Sequence, residues 1–171
     1  MKTNLNIKCN KLIEERDQLT VQIAKMWDII ATENVIRKGC VRNYDMKMTL
    51  THIKHLYDKV INVKLQIQCA NMGIKLKDLP ENANIINIYR LTAYNNYIVK
   101  VDEMMKKHTI NPLVKIKKGK RKLAVTEELT YSYLEREKNR YTLLANKIRK
   151  EIEDFNNNTE IDNTVPTYLV A

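Results

Sequence analysis

The chain has 171 residues and carries 30 Lys and Arg against 20 Asp and Glu, a formal net charge of +10. That length fits one domain, or one bundle with an arm, and a compact fold of this size buries roughly 70% of its unfolded surface. Three Gly and three Pro leave little room for turns, so a few long elements are favoured over many short ones.

The core composition is aliphatic, with 19 Ile beside one Phe and one Trp, and nine Tyr supply most of the aromatic area. Abundant Asn, Ile, Lys and Tyr are what AT-rich coding produces, which suggests a low-GC bacterium or its phage as the source. Cys9, Cys40 and Cys69 form no C-x-x-C pair, so neither a disulfide framework nor a zinc site is expected. Met1 to Asp17 has charges every few residues and no apolar stretch of the kind that marks a secretory leader. No apolar run approaches the roughly 20 residues of a spanning helix. The expected location is cytoplasmic.

Apolar residues at heptad-like spacing predict four helices. In the first, Leu5, Leu12, Leu19 and Met26 recur every seven residues, with Cys9, Ile23 and Ile30 four after three of them, and Arg37-Lys38-Gly39 ends it. Asp45 is the expected N-cap of the second helix. Its stripe is Met46, Ile53, Val60 and Ile67, joined by Leu56, Val63 and Ala70, and Asn71-Met72-Gly73 closes it. Ile74 to Leu79 reads as an extended crossing. Asp78, Pro80 and Glu81 then open the third helix, whose stripe is Leu91, Ile98 and Met105 with Ile88, Tyr94 and Val101, stopped by Asn111-Pro112.

Leu113, Ile116, Leu123 and Val125 around Lys118-Gly119 predict a short extended or hairpin arm near 113–125. Thr126 is the expected cap of the fourth helix, with Glu127 and Glu128 in its first turn and Leu134, Tyr141, Ile148 and Phe155 seven apart. The fold class predicted is therefore all-α. It is an elongated bundle of about four long amphipathic helices with coiled-coil-like packing. The bundle domain covers 1–156 with the basic arm inserted, and 157–171 is a flexible or partner-bound tail with an apolar end, Val165 to Ala171. Sustained heptads on every helix predict a homo-oligomer.

No acidic residue lies between Glu103 and Glu127, a stretch that holds eight cations. Six of them, Lys115, Lys117, Lys118, Lys120, Arg121 and Lys122, surround Gly119, where cations and free backbone N–H groups can converge on an anion. Arg37, Lys38 and Arg42 form a second basic loop at the first helix junction. These nine are the candidate ligand-binding residues, and a solvated, solubilising loop is the plainer account of the same charges. His52, His55 and Asp58 are helical neighbours but lack the third firm ligand and supporting shell of a zinc site. No nucleophile has a recognisable base partner and no glycine-rich phosphate cradle follows a strand. No enzyme, cofactor or metal is expected. Trp27 and the tyrosines at helical spacing read as core or interface rather than base-stacking platforms.

Three stretches resemble the septicolysin-like family of small bacterial helical proteins. They are Leu12-Ile13-Glu14-Glu15-Arg16-Asp17-Gln18-Leu19, then Ile67-Gln68-Cys69-Ala70-Asn71 before a Gly and a crossing, and Arg140 to Ile148 with Ile152 and Asn156 to Ile161. The family's Asn-Trp is Asn156-Asn157 here, and its Gln-Glu-Gly turn is Arg37-Lys38-Gly39. The resemblance implies an all-helical, oligomer-prone fold. The family name implies a cytolysin, an activity not carried over because no membrane-inserting stretch is visible.

The leading functional expectation is a non-enzymatic oligomeric protein whose basic loops grip a phosphate-bearing ligand, a nucleotide signal or a nucleic acid. In its narrowest form it is a phage protein that sequesters such a signal as counter-defence. The alternative is a coiled-coil structural or inhibitory protein acting on a protein partner, and a septicolysin-like membrane-acting role is third.

Overall fold

The computed structural model describes residues 8–110 and 125–160. Helices α1 (Cys9–Glu33), α2 (Met46–Asn71), α3 (Asn84–Ile110) and α4 (Tyr131–Asn158) make up most of it, with strands β1 (Val35–Arg37) and β2 (Val125–Glu127) between them. At 1.5 Å per residue each helix is roughly 40 Å long. The all-α bundle expected from the apolar spacing is what the chain forms.

α1 packs along α2 and α3 along α4, and the two hairpins meet chiefly through α2 and α3. The polar contacts fix the direction of the second hairpin. Asn87 donates to Glu151, Arg149 to Asn95, Tyr97 to Glu137 and Lys138 to Asp102, so α3 and α4 run antiparallel. One continuous core runs through the bundle, with Ile30, Met46, Leu50, Ile53, Val101 and Leu134 sealed within it. At about two to three kcal/mol for each large side chain fully removed from water, this core is what holds the hairpins together.

Local signals explain the helix ends. Asp45 accepts from the Met48 N–H at 2.7 Å, as an N-cap should. Gly73, at φ +69°, ends α2, with its own N–H bonded to Ala70 and that of Ile74 to Cys69. That pair of bonds is the Schellman arrangement, and it needs a left-handed residue that glycine adopts without strain.

Three boundaries differ from the sequence expectation. α1 stops at Glu33, because the β-branched Val35 and Ile36 enter a strand rather than a last helical turn. Thr126 lies in β2, and the cap of α4 is Thr130, whose hydroxyl accepts from Tyr133 N–H. α3 begins at Asn84, after a 3₁₀ turn at Leu76–Asp78, instead of at Asp78-Pro80-Glu81. At the far end α4 continues through Asn158, with the Thr159 hydroxyl bonded back to the Phe155 carbonyl. Leu5, the Asn111-Pro112 stop, the arm residues 113–124 and the tail from Ile161 onward lie outside the described residues.

Candidate functional site

β1 and β2 pair antiparallel in a two-stranded ribbon, with Val35 opposite Glu127, Ile36 opposite Thr126 and Arg37 opposite Val125. This ribbon joins the first helix junction to the segment that leads into α4. Arg37 and Lys38 are exposed at its tip, followed by Gly39 at φ +95°, and the Cys40 N–H closes the turn on the Arg37 carbonyl. Two of the nine candidate cations thus stand free in solvent where an anion can reach them.

Arg42 does not join them, which corrects its reading as a ligand-gripping cation. Its guanidinium turns inward and donates to the carbonyls of Glu33 (3.1 Å), Asn34 (2.8 Å) and Thr126 (2.7 Å). The last carbonyls of α1 have no partner within the helix, and a planar five-donor group satisfies them while bridging to β2. The remaining candidates, Lys115, Lys117, Lys118, Lys120, Arg121 and Lys122, lie outside the described residues.

The ribbon is anchored by residues whose spacing in the sequence suggests no role or a different one. Asn34, buried at the end of α1, uses both ends of its amide on Leu129, donating to the carbonyl at 2.9 Å and accepting from the N–H at 2.7 Å. Glu128, expected in the first turn of α4, instead accepts from the N–H groups of Met46 and Lys47 and so caps α2 from the opposite side of the ribbon. A carboxylate there also complements the positive end of the helix dipole. The Glu33 side chain completes the knot by accepting from the Asn43 backbone and amide.

A second polar cluster lies in the middle of the bundle. Glu137, 9% exposed, accepts from the Tyr97 hydroxyl at 2.9 Å and pairs with Lys54 at 2.5 Å, joining α2, α3 and α4. Trp27, Tyr57 and Tyr141 pack around the Tyr97 ring, Tyr141 at a centroid distance of 4.2 Å. Burial, with the Glu137 charge beside it, pushes the Tyr97 hydroxyl far above its ordinary range and holds it neutral, as a donor. The same two causes push Tyr141 up to about 12. The Glu137, Lys54 and Tyr97 polar groups point at one another, so the cluster reads as a bundle-locking network.

His52 and His55 are exposed and border a shallow hollow with Asp58, and among the described residues no group of three His, Cys, Asp or Glu can hold a metal ion. Cys9, Cys40 and Cys69 are free thiols. No described helix is long and apolar enough to cross a membrane. Comparison with family models, curated proteins and solved structures returned no significant match.

Proposed function

We propose that the protein is a non-enzymatic binding protein that grips a phosphate-bearing ligand at the ribbon end of its bundle. The supporting observation is the ribbon's register. Arg37 pairs with Val125, and Val125 follows Lys122 by three residues. Three peptide units reach at most about 11 Å. Covalent connectivity therefore keeps Lys122 within that reach of Val125, the residue paired with Arg37. With Arg42 engaged inside, the proposed ligand-binding set is Arg37 and Lys38 together with Lys115, Lys117, Lys118, Lys120, Arg121 and Lys122.

Phosphate is the anion this set suits, because clustered cations and a glycine turn match its charge and its several acceptor oxygens. Self-association belongs to the same proposal. Met48, Val21 and Leu143 stand 72%, 54% and 71% exposed on α2, α1 and α4, where a partner copy would cover them. The likeness to septicolysin-like proteins is retained only as a proposed kinship of fold.

The test is fluorescence anisotropy of labelled single-stranded and double-stranded DNA, and of a labelled nucleotide, across a salt series. A nucleic acid ligand gives a steep loss of affinity with salt. The Arg37→Gln, Lys38→Gln double variant should flatten that slope by about two on a log–log plot, at about 0.9 for each phosphate that is no longer neutralised. A nucleotide gives a shallow salt dependence and one ligand per chain. If none of the three binds at low salt, the basic end only keeps the protein soluble, and the reading of a coiled-coil protein acting on a protein partner takes its place.

A further inference from the structure

A cleft of about 340 Å³ opens between α1, α2 and α3, away from the ribbon. That volume lies at the lower end of the range for small-molecule sites, roughly 300–1,000 Å³, and fits a ligand of one or two rings. Its aromatic lining comes from Trp27, Tyr57 and Tyr89, one from each helix, and the Lys64 and Lys100 side chains border it. Among the described lining residues two are cations and none is an acid.

The two lysines differ in their ties. Lys100 pairs with Glu103 at 2.8 Å on its own helix, outside the lining. Lys64 has no carboxylate partner among the described residues, and its ammonium sits 5.6 Å from the centre of the Tyr89 ring. A second observation concerns the wall. Trp27 is 3% exposed, and its indole N–H is buried without a hydrogen-bond partner. The Tyr57 hydroxyl lies close enough for the N–H to offset part of the rise that burial causes in its pKa, yet the two do not meet in hydrogen-bond geometry. An incoming acceptor would relieve a buried donor left in this state.

We infer that the cleft is a binding site for a small planar aromatic anion, separate from the phosphate-gripping end. The ring lies among Trp27, Tyr57 and Tyr89, and its carboxylate or phosphate meets Lys64 and Lys100. A ring acceptor reaches the indole N–H when the Tyr57 side chain gives way. Flat walls contributed by three helices favour a rigid ring over a flexible chain, and the absence of acids from the described lining selects for negative charge.

Trp27 is the one tryptophan of the chain, so its emission and its single indole ¹⁵N–¹H peak report on this wall alone. The intact protein is titrated with adenosine monophosphate, with nicotinate and with inorganic phosphate. All three are transparent at an excitation of about 295 nm, and the two ring compounds each carry a ring acceptor. The expected result is a saturable change in emission and a downfield shift of the indole proton with at least one ring anion, and no response to inorganic phosphate. Which ring anion acts tells a phosphate ligand from a carboxylate. Lys64→Gln should weaken that binding about tenfold, the worth of one charge-assisted hydrogen bond. Ala24→Phe, at an exposed lining position, should fill the cleft and abolish binding while leaving the helical circular dichroism intact. Arg37→Gln with Lys38→Gln should change nothing here, which separates this site from the ribbon. The inference fails if neither ring anion gives a saturable response at millimolar concentration, if inorganic phosphate gives the same response, or if Ala24→Phe binds as tightly as the parent.

Discussion

Glu137 shows how one buried side chain can require two partners. Its carboxylate sits among aromatic rings and is stabilised by the Lys54 ammonium and the Tyr97 hydroxyl together. Tyr97→Phe removes only the hydroxyl and leaves the ion pair, so it should cost about 1–3 kcal/mol in urea unfolding. Lys54→Met leaves the carboxylate only the more distant, exposed Arg140 guanidinium at 4.0 Å as its cation and should cost more, about 3 kcal/mol. If the two variants unfold at the same urea midpoint as the parent, Glu137 is solvated and the network does not lock the bundle.

Asp102 gives a pH signature at the same scale. Hydrogen bonds from Lys106 and Lys138 hold its carboxyl down at about 2, below the ordinary 3.8. A depressed acid stabilises the fold above the unfolded pKa and loses that contribution as pH falls through the folded one. The contribution is thus complete above about pH 4 and fades toward about pH 2. Asp102→Asn should flatten the stability curve in that window, and added salt should shrink the difference because the group is near the surface.

At the scale of elements, the ribbon separates two kinds of arginine that look alike in sequence. Arg42→Ala strips three carbonyls of their donor and should destabilise by about 2–4 kcal/mol, whereas Arg37→Gln at the exposed tip should stay within about 0.5 kcal/mol. Equal losses by thermal unfolding would mean that Arg42 is not the clamp. The heptads were informative where one neighbour supplies most of a helix's cover, as α2 does for α1. On α1, Leu12, Leu19, Ile23 and Ile30 are buried as their spacing implies.

On α3 the seven-residue stripe is only half right. Val101 and Met105 are buried, but Ala93, Tyr97 and Met104 fill the places expected of Leu91, Ile98 and Ile88. A helix that faces α2 on one side and α4 on another presents a broad face with a 3.6-residue period, not a narrow seam. Val60 is half-buried beside the cleft, while Ile53 and Val63 on the same helix are sealed. Ile53→Ala should therefore cost about 2–5 kcal/mol, and Val60→Ala distinctly less.

For the whole molecule, four long helices were legible because apolar periodicity over 25 or more residues has few other readings. The ribbon was not legible, because three-residue strands carry no periodicity and β1 and β2 are far apart in sequence. Asn34 and Glu128 were unreadable for the same reason, since a cap supplied across the fold leaves no local spacing. The cleft was equally hidden. Trp27, Tyr57 and Tyr89 converge only once three helices have packed. Self-association is the remaining test at this scale. Multi-angle light scattering at micromolar concentration should give a multiple of 20.2 kDa, and a mass of one chain would assign the exposed Met48, Val21 and Leu143 to ordinary surface.

The Asn34–Leu129 lock closes a span of 95 residues, and the Glu128 cap on α2 one of 82. During synthesis α1 and α2 therefore leave the ribosome with their shared end unfinished, and it stays so until the last third of the chain arrives. Each hairpin can form from local contacts, but this closure carries the loop entropy of most of the protein and should come late. Asn34→Ala should accordingly raise the unfolding rate and leave the refolding rate nearly unchanged in stopped-flow chevrons. A newborn chain is thus a helical hairpin waiting for its latch, and any partner that seizes the junction before α4 is made competes with folding itself.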